Sequence, residues 1–446
     1  MSLDIFNTVR WHATVIVIAG SIGILAAHPA RAQQRSVTSM QISSSERGMA
    51  ANMLSQVHTV LKHSYYDRSF HGVDIDARYR TYADELKTAQ SLTGAYRIIA
   101  AYLSGLDDSH TVFVPPPNAN RVDYGYRMQV IGDSCFITEV RSGTDAAQKL
   151  RPGDQVLSLG GYAVNAKDFR QFEYYRNALA PQKISEFTLR GPAGIIRHES
   201  VRTQVDYGEQ FAIFRYGDYR LAMEDMQQLL RPRTQQEGSV LFWKLPAFVG
   251  NGGEIYDSIS EARKDSALVL DLRGNPGGAE AILTSMLGSL FDHDVTIGKK
   301  ITRGGEKPFI AKTRGRDSFT GQLVVLVDRG SESASEILAR VVQIEHRGTI
   351  VGDTTGGAVM SSRFFPLEEG ANWVLHYGVQ ISEAGLIMAD GKSLEGIGVT
   401  PDVIVLPTAA DLAAGRDPAL ARAAQLAGLK LDPAAAGKIF PFKWSH

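Results

Sequence analysis

The sequence predicts an α/β protein: a parallel-sheet core, preceded by a helical segment and a small α+β module. Three patterns carry that reading. Strand, turn and helix repeat in order after about residue 239. Apolar positions recur at three and four before residue 105. Short strands broken by glycine turns fill the stretch between.

The core elements follow in order. Ala267–Leu272 (ALVLDL) is a near-continuous apolar run, as a strand buried on both faces requires. The turn Arg273-Gly274-Asn275-Pro276-Gly277-Gly278 comes next, then a helix from Ala279 to about Phe291. Gln322–Asp328 (QLVVLVD) leads through Arg329-Gly330-Ser331-Glu332 into a helix from Ser333 to about Glu345, and Thr349–Gly352 is a third strand. Such repeats give right-handed crossovers and a parallel sheet. Residues just after the strands then gather along one rim, where sites form.

Earlier segments read differently. Arg10, an apolar run from Ala13 to Ala27 and Ala30-Arg31-Ala32 form an export signal with its cleavage site, over residues 1–32. The run is short for a span of ~20 residues, so no stable membrane span is expected after cleavage. Residues 33–120 read as a helical region. Met49, Met53, Val57, Val60 and Leu61 mark one helix, and a second block runs from about Asp76 to Leu103. Leu106–Thr111 (LDDSHT) is then a turn, and Pro115-Pro116-Pro117 bars any helix. Residues 121–205 carry the strands Arg127–Val130, Cys135–Val140 and Gln155–Leu159, then a helical stretch from about Lys167 to Leu179. The core is assigned to 206–410 and an Ala-rich helical tail to 411–446.

Composition removes several classes. The chain has 446 residues, with 47 Lys+Arg against 48 Asp+Glu, a net charge of −1. Nucleic-acid binding needs a basic excess that is missing here. Hydrophobic residues at 44% leave ample core and argue against disorder. Cys135 is the only cysteine, so no internal disulfide or Cys-based metal site exists, and between Ser134 and Phe136 it reads as strand filler.

Few residues could do chemistry. Ser333 opens a helix straight after a buried strand. Ser333-Ala334-Ser335-Glu336 has the pattern of a capping box. The same geometry exposes a hydroxyl beside free helix-start amides that can donate to an oxyanion, and Ser335 could then serve as the cap. A reacting serine needs a base. His110 lies in a turn, His293 and His346 sit near helix ends, and His376 lies in an alternating strand. Gly277-Gly278 can bring a backbone amide close to a ligand, since no Cβ intervenes.

Together these residues resemble the S41 family, the C-terminal processing and tricorn-type serine peptidases. LDLRGNPGG (Leu270–Gly278) resembles the family's oxyanion strand, and GSESASE (Gly330–Glu336) its nucleophile motif, with Ser333 as the reactive serine. LDDSHT resembles its His motif, EGIGVTPD (Glu395–Asp402) its late Glu motif, and RPGDQVLSLGG (Arg151–Gly161) its PDZ domain. The resemblance implies a ClpP/crotonase-like protease core with a PDZ-like α+β domain. It departs at one point. The processing branch uses a lysine 25 residues after the serine, and that position here is Ala358; no lysine lies between Lys312 and Lys392. The tricorn-like branch uses Ser–His, with a neighbouring Ser and a Glu. Ser109, His110 and Glu395 match those positions, with Asp390 as a substitute for Glu395.

The expectation is therefore an exported serine endopeptidase, periplasmic or secreted, acting on polypeptides without metal or cofactor. His110 takes the proton from Ser333, Ser109 and Glu395 orient the imidazole, and the amides of Ala334 and of Gly277 or Gly278 hold the oxyanion. The rivals are an inactive peptide- or ligand-binding protein on the same fold, and a Ser333–Lys392 dyad.

Overall fold

Side-chain caps decide where the first helices begin. In the computed structural model, which describes residues 42–116, 121–206, 231–370, 374–442 and 444, the Ser43 hydroxyl accepts the Glu46 amide at 3.1 Å. The Glu46 carboxylate returns the bond to the Ser43 N–H at 2.8 Å, starting α1 (Ser44–Ser64). The proposed signal over residues 1–32 lies outside the described residues. The single helical block predicted from Asp76 to Leu103 is two helices, α2 (Ile75–Leu86) and α3 (Leu92–Ser104). Ser91 restarts the helix by accepting the Gly94 amide at 3.0 Å, a cap that apolar spacing alone does not reveal. β1 (Val112–Val114) follows.

Residues 121–206 form a separate antiparallel module. Its elements are β2 (Arg121–Asp123), β3 (Tyr126–Ile131), β4 (Ser134–Val140), α4 (Asp145–Lys149), β5 (Gln155–Leu159), β6 (Tyr162–Ala163), α5 (Phe169–Tyr174), β7 (Ile184–Arg190), β8 (Ile196–Arg202) and β9 (Gln204–Asp206). The main sheet runs β3-β4-β5-β7-β8, with β6 beside β5, while β2 and β9 pair separately. Cys135 is buried within β4, and burial pushes its thiol up to about 12, so it packs rather than reacts.

The core begins with β10 (Arg233–Glu237), β11 (Val240–Lys244), α6 (Gly252–Ala262), β12 (Ala267–Asp271) and α7 (Glu280–Leu290). It continues through β13 (Val295–Thr302), β14 (Gly305–Ala311), β15 (Gln322–Val327), α8 (Ala334–Ile344), β16 (Thr349–Gly352), β17 (Met360–Glu369), β18 (Leu375–Met388) and β19 (Val403–Ile404). One sheet has the order β10-β11-β12-β15-β16-β19 and is parallel from β11 to β19, with β10 antiparallel at its edge. Leu323, Val325 and Val327 of β15 pack with α7 and α8 on one face. Val324 and Leu326 pack on the other face against the tail helix α10 (Pro418–Leu426), which follows the short α9 (Ala409–Ala413). Both faces are covered, which is why the run lacks polar alternation.

A second, antiparallel sheet runs β1-β18-β13-β14, with β17 on β18. One end of β18 (Tyr377, Val379, Ile381) packs on α1 and α3, and the other (Leu386, Met388) joins the core. The carboxyl ends of β12 and β15 are neighbours in the parallel sheet, so the loops 272–279 and 328–333 meet there.

Candidate active site

Ser333 sits at the strand-to-helix turn after β15. Its backbone has φ 55° and ψ −115°, a conformation that non-glycine residues avoid unless the surroundings enforce it. Here they do. The Ser333 N–H donates to the Ala358 carbonyl at 2.8 Å and to Glu336 Oε2 at 3.0 Å. Asp328 Oδ1 accepts the amides of Gly274 (2.7 Å) and Gly330 (2.9 Å), tying this turn to the glycine loop. A sharp turn of this kind presents a serine hydroxyl at the helix mouth. Ser333 itself occupies the cap position. Ser335 is not the cap: its buried hydroxyl donates to the Asn275 carbonyl at 2.9 Å.

The glycine loop corrects one assignment. The Gly277 amide donates to Asn275 Oδ1 at 2.8 Å, so it is spent and cannot serve an oxyanion. Gly277 matters instead through close approach. A Cβ there would lie 2.6 Å from Ser333 Cβ and 2.9 Å from the Ala334 nitrogen. Among the described residues the amides of Gly278 and Ala334 have no hydrogen-bond acceptor. Beneath the loop, Arg273 bridges Asp271 and Asp417. Burial opposes the Asp271 charge, but Arg273 and Lys244 hold its carboxyl well below the usual range.

His110 follows α3 in an Asp-anchored turn. Asp108 Oδ1 accepts the His110 amide (2.8 Å), the Thr111 amide (3.0 Å) and the Ser382 hydroxyl (2.7 Å). Ser109 Oγ lies 2.7 Å from His110 Nδ1. Glu395 Oε1 accepts the Ser109 N–H at 2.8 Å, and its Oε2 accepts the Val359 N–H at 2.6 Å. Glu395 therefore reaches the imidazole through Ser109. Asp390, its alternative, pairs with Arg340 and caps the Lys392 amide, so it takes no part here. Lys392 is exposed on that turn, and Ala358 is buried with both backbone groups engaged.

Val359 follows Ala358, so Glu395 and Ser333 grip adjacent units of one loop. The Gly396 amide, donating to the Gly357 carbonyl at 2.8 Å, joins the same segments again. In this structure Ser333 Oγ and His110 share no hydrogen bond. Burial pushes the imidazole down to about 4; Asp108 opposes this and the Arg170 cation adds to it. Arg170, from α5 of the module, also bonds Glu332 Oε1 at 2.7 Å. Burial raises Glu395, against the pull of Ser109 and Val359.

Sequence reading missed Asp108, Asn275 and Arg170, and saw in Glu336 only a capping partner of Ser333. The first two had a local signal, since Asp108-x-His110 and Asn275-x-Gly277 are side-chain-to-amide turns two residues long. His293 and His376 pair with surface acids. Among the described residues no cluster of three or more His, Cys, Asp or Glu could hold a metal, and no helix is long and apolar enough to cross a membrane.

Residues 239–405 match the model for peptidase family S41. The chloroplastic carboxyl-terminal-processing peptidase 3 of Arabidopsis thaliana is 24% identical over 413 residues, covering 88% of this chain and 76% of that protein. The chloroplastic C-terminal processing peptidase of Tetradesmus obliquus is 26% identical over 377 residues, covering 77% and 76%. Among solved structures, mature CPAF complexed with lactacystin aligns with a TM-score of 0.62 at 15% identity, over 83% of this chain and 96% of that one. The photosystem II D1 C-terminal processing protease aligns at 0.51 and 20% identity, over 90% and 100%. The shared fold is an α/β protease fold.

Proposed function

We propose, on the premise that the chain carries a domain of peptidase family S41 and is a serine-type peptidase, that it cleaves polypeptides internally by a Ser–His mechanism. Ser333 Oγ attacks the peptide carbonyl while His110 Nε2 takes its proton. The tetrahedral oxyanion accepts from the amides of Ala334 and Gly278. One such donor is typically worth ~10²–10³ in rate. His110 then gives the proton to the leaving amine, and water, deprotonated by His110, hydrolyses the ester on Ser333. Ser109, held by Glu395, keeps the imidazole in register.

One observation carries this reading. Glu395 bonds both the Ser109 amide and the Val359 amide, so the histidine turn is fixed to the loop that receives the Ser333 N–H. Such hydrogen bonds tighten in substrate complexes, which accommodates the open Ser333–His110 pair. That open pair is also the observation on the side of a non-catalytic binding protein.

The module at 121–205 is taken as a PDZ-like domain that adds an extended polypeptide to its sheet. Arg176 lies over the Tyr124 ring at 3.5 Å and fills the loop at 124–126, so a free carboxylate is not assigned to that loop. Export with removal of residues 1–32 belongs to the same reading.

A fluorophosphonate probe tests the chemistry. Labelling of the wild-type protein at neutral pH, lost in Ser333→Ala and in His110→Ala, is expected. No wild-type labelling would favour the binding protein, and labelling that survives His110→Ala would remove histidine from the mechanism.

A further inference from the structure

We propose that Glu336 is a positioning residue for this hydrolysis, a buried carboxylate that registers the nucleophile turn against the loop leading to the histidine. The inference rests on the Ser–His reading above and deepens it.

Glu336 lies one turn into α8 and is 0% exposed. Its carboxylate meets four donors. Oε2 accepts the amides of Ser333 (3.0 Å) and Ala358 (2.8 Å). Oε1 accepts the Gly357 amide (2.8 Å) and the Thr355 hydroxyl (2.5 Å). Thr355 Oγ1 in turn accepts the Val399 amide at 2.6 Å, so its proton is committed to Glu336. Among the described residues no lysine, arginine or histidine forms an ion pair with it. The side chain neutralises no charge; it holds peptide groups in place.

Those groups are the site. Ser333 and Ala358 also bond each other, and Val359 carries the bond to Glu395, hence to Ser109 and His110. Removing Glu336 leaves buried donors unpaired on both sides of that junction. Glutamine cannot replace it, because either amide orientation sets an NH₂ against two donors. A helix cap alone would need only the Ser333 bond.

The charged groups around it are few. Glu332, on the same turn and paired with Arg170, disfavours its charge. Asp353 precedes the loop and accepts the Thr354 amide, and Glu395 lies beyond Val359. Burial raises the Glu336 carboxyl to about 7, against the pull of its donors.

The test is Glu336→Gln in the full chain, comparing turnover of a fluorogenic peptide and fluorophosphonate acylation from about pH 4 to 8. We expect kcat and acylation to fall on the order of 10²-fold, as for a misplaced nucleophile, with KM little changed. The wild-type acid limb near 7 should be missing from the residual activity. Wild-type kcat and acylation in folded Glu336→Gln would overturn the inference and leave the Ser–His reading standing. An unreactive wild-type protein would overturn both. Should Glu336→Gln not fold, Thr355→Val removes one donor and should lower kcat in the same direction; unchanged kcat there would equally overturn it.

Discussion

The proposed Ser–His step needs a neutral imidazole at neutral pH, and burial favours that form of His110 by pushing it down to about 4. Its folded pKa lies below its unfolded value, so the fold binds fewer protons between those two values. Stability from this group is full above about 6.5 and is lost as pH falls toward 4. His110→Gln should therefore show a flatter loss of melting temperature over that window than the wild type, checked by thermal melts at stepped pH. An equally steep loss would mean the imidazole is not the group resisting protonation. Ser109→Ala removes the partner of Nδ1 and should lower kcat by about 10–100-fold with KM little changed, as losses of orienting partners do. Equal kcat would show that Asp108 and the turn alone hold the ring. At this scale the motif residues Ser333, His110 and Glu395 were legible because each belongs to a distinctive local string. Arg170, and the reach of Glu336 beyond its cap, were not, because Gly357, Ala358 and Glu332, which they bond, lie 21, 22 and 162 residues away. The Gly277 amide was misassigned because a glycine pair does not say which amide is free; Asn275, two residues earlier, is what decides it.

Elements were legible where burial is complete. The runs of β12 and β15 send alternate residues into two different apolar clusters, so every position except the terminal Asp271 and Gln322 is apolar and the strands read directly. The antiparallel sheet of β13, β14, β17 and β18 was largely missed. β17 is half-buried with polar Ser361, Ser362 and Arg363 near its start, so it lacks a clean apolar alternation, and its pairing with β18 is non-local information. The element on which the site depends most is the glycine loop. Gly277 has φ 92°, and a side chain there would press on Ser333 Cβ and the Ala334 nitrogen at once. Neither neighbour can yield, since one is the β-carbon of Ser333 and the other begins α8. Gly277→Ala should lose at least ~10² in kcat while costing about 1–3 kcal/mol of stability, the scale of a strained backbone position. Kinetics with a calorimetric melt separate the two effects. Full activity in this variant would mean the loop and the nucleophile turn can move apart without consequence.

The whole molecule joins a module to a core, and the join runs through the site. Boundaries near 121 and 206 were visible as changes of texture, but the contacts across them were not, since no local pattern marks Gln129 or Arg170. Gln129 donates to Asp328 Oδ2 at 2.5 Å, the carboxylate that also holds Gly274 and Gly330. Arg170 pairs with Glu332, beside Ser333, with side chains 41% and 30% exposed. At that exposure the pair contributes ~0–1 kcal/mol, so Arg170→Gln should leave the melting temperature almost unchanged. Its electrostatic effect is different. The Arg170 cation disfavours protonated His110, so removing it must raise the imidazole's pKa and shift the histidine limb of kcat/KM to higher pH. Added salt should produce the same shift in the wild type, because solvent-exposed charge is screened over a Debye length of ~10 Å at 0.1 M, and should produce little in Arg170→Gln. Histidine titration by NMR, run on both proteins at two salt concentrations, reads this directly. An unmoved His110 in Arg170→Gln would mean that the module touches the core here without acting on the base, and that any influence it has on catalysis passes through Gln129 and the glycine loop instead.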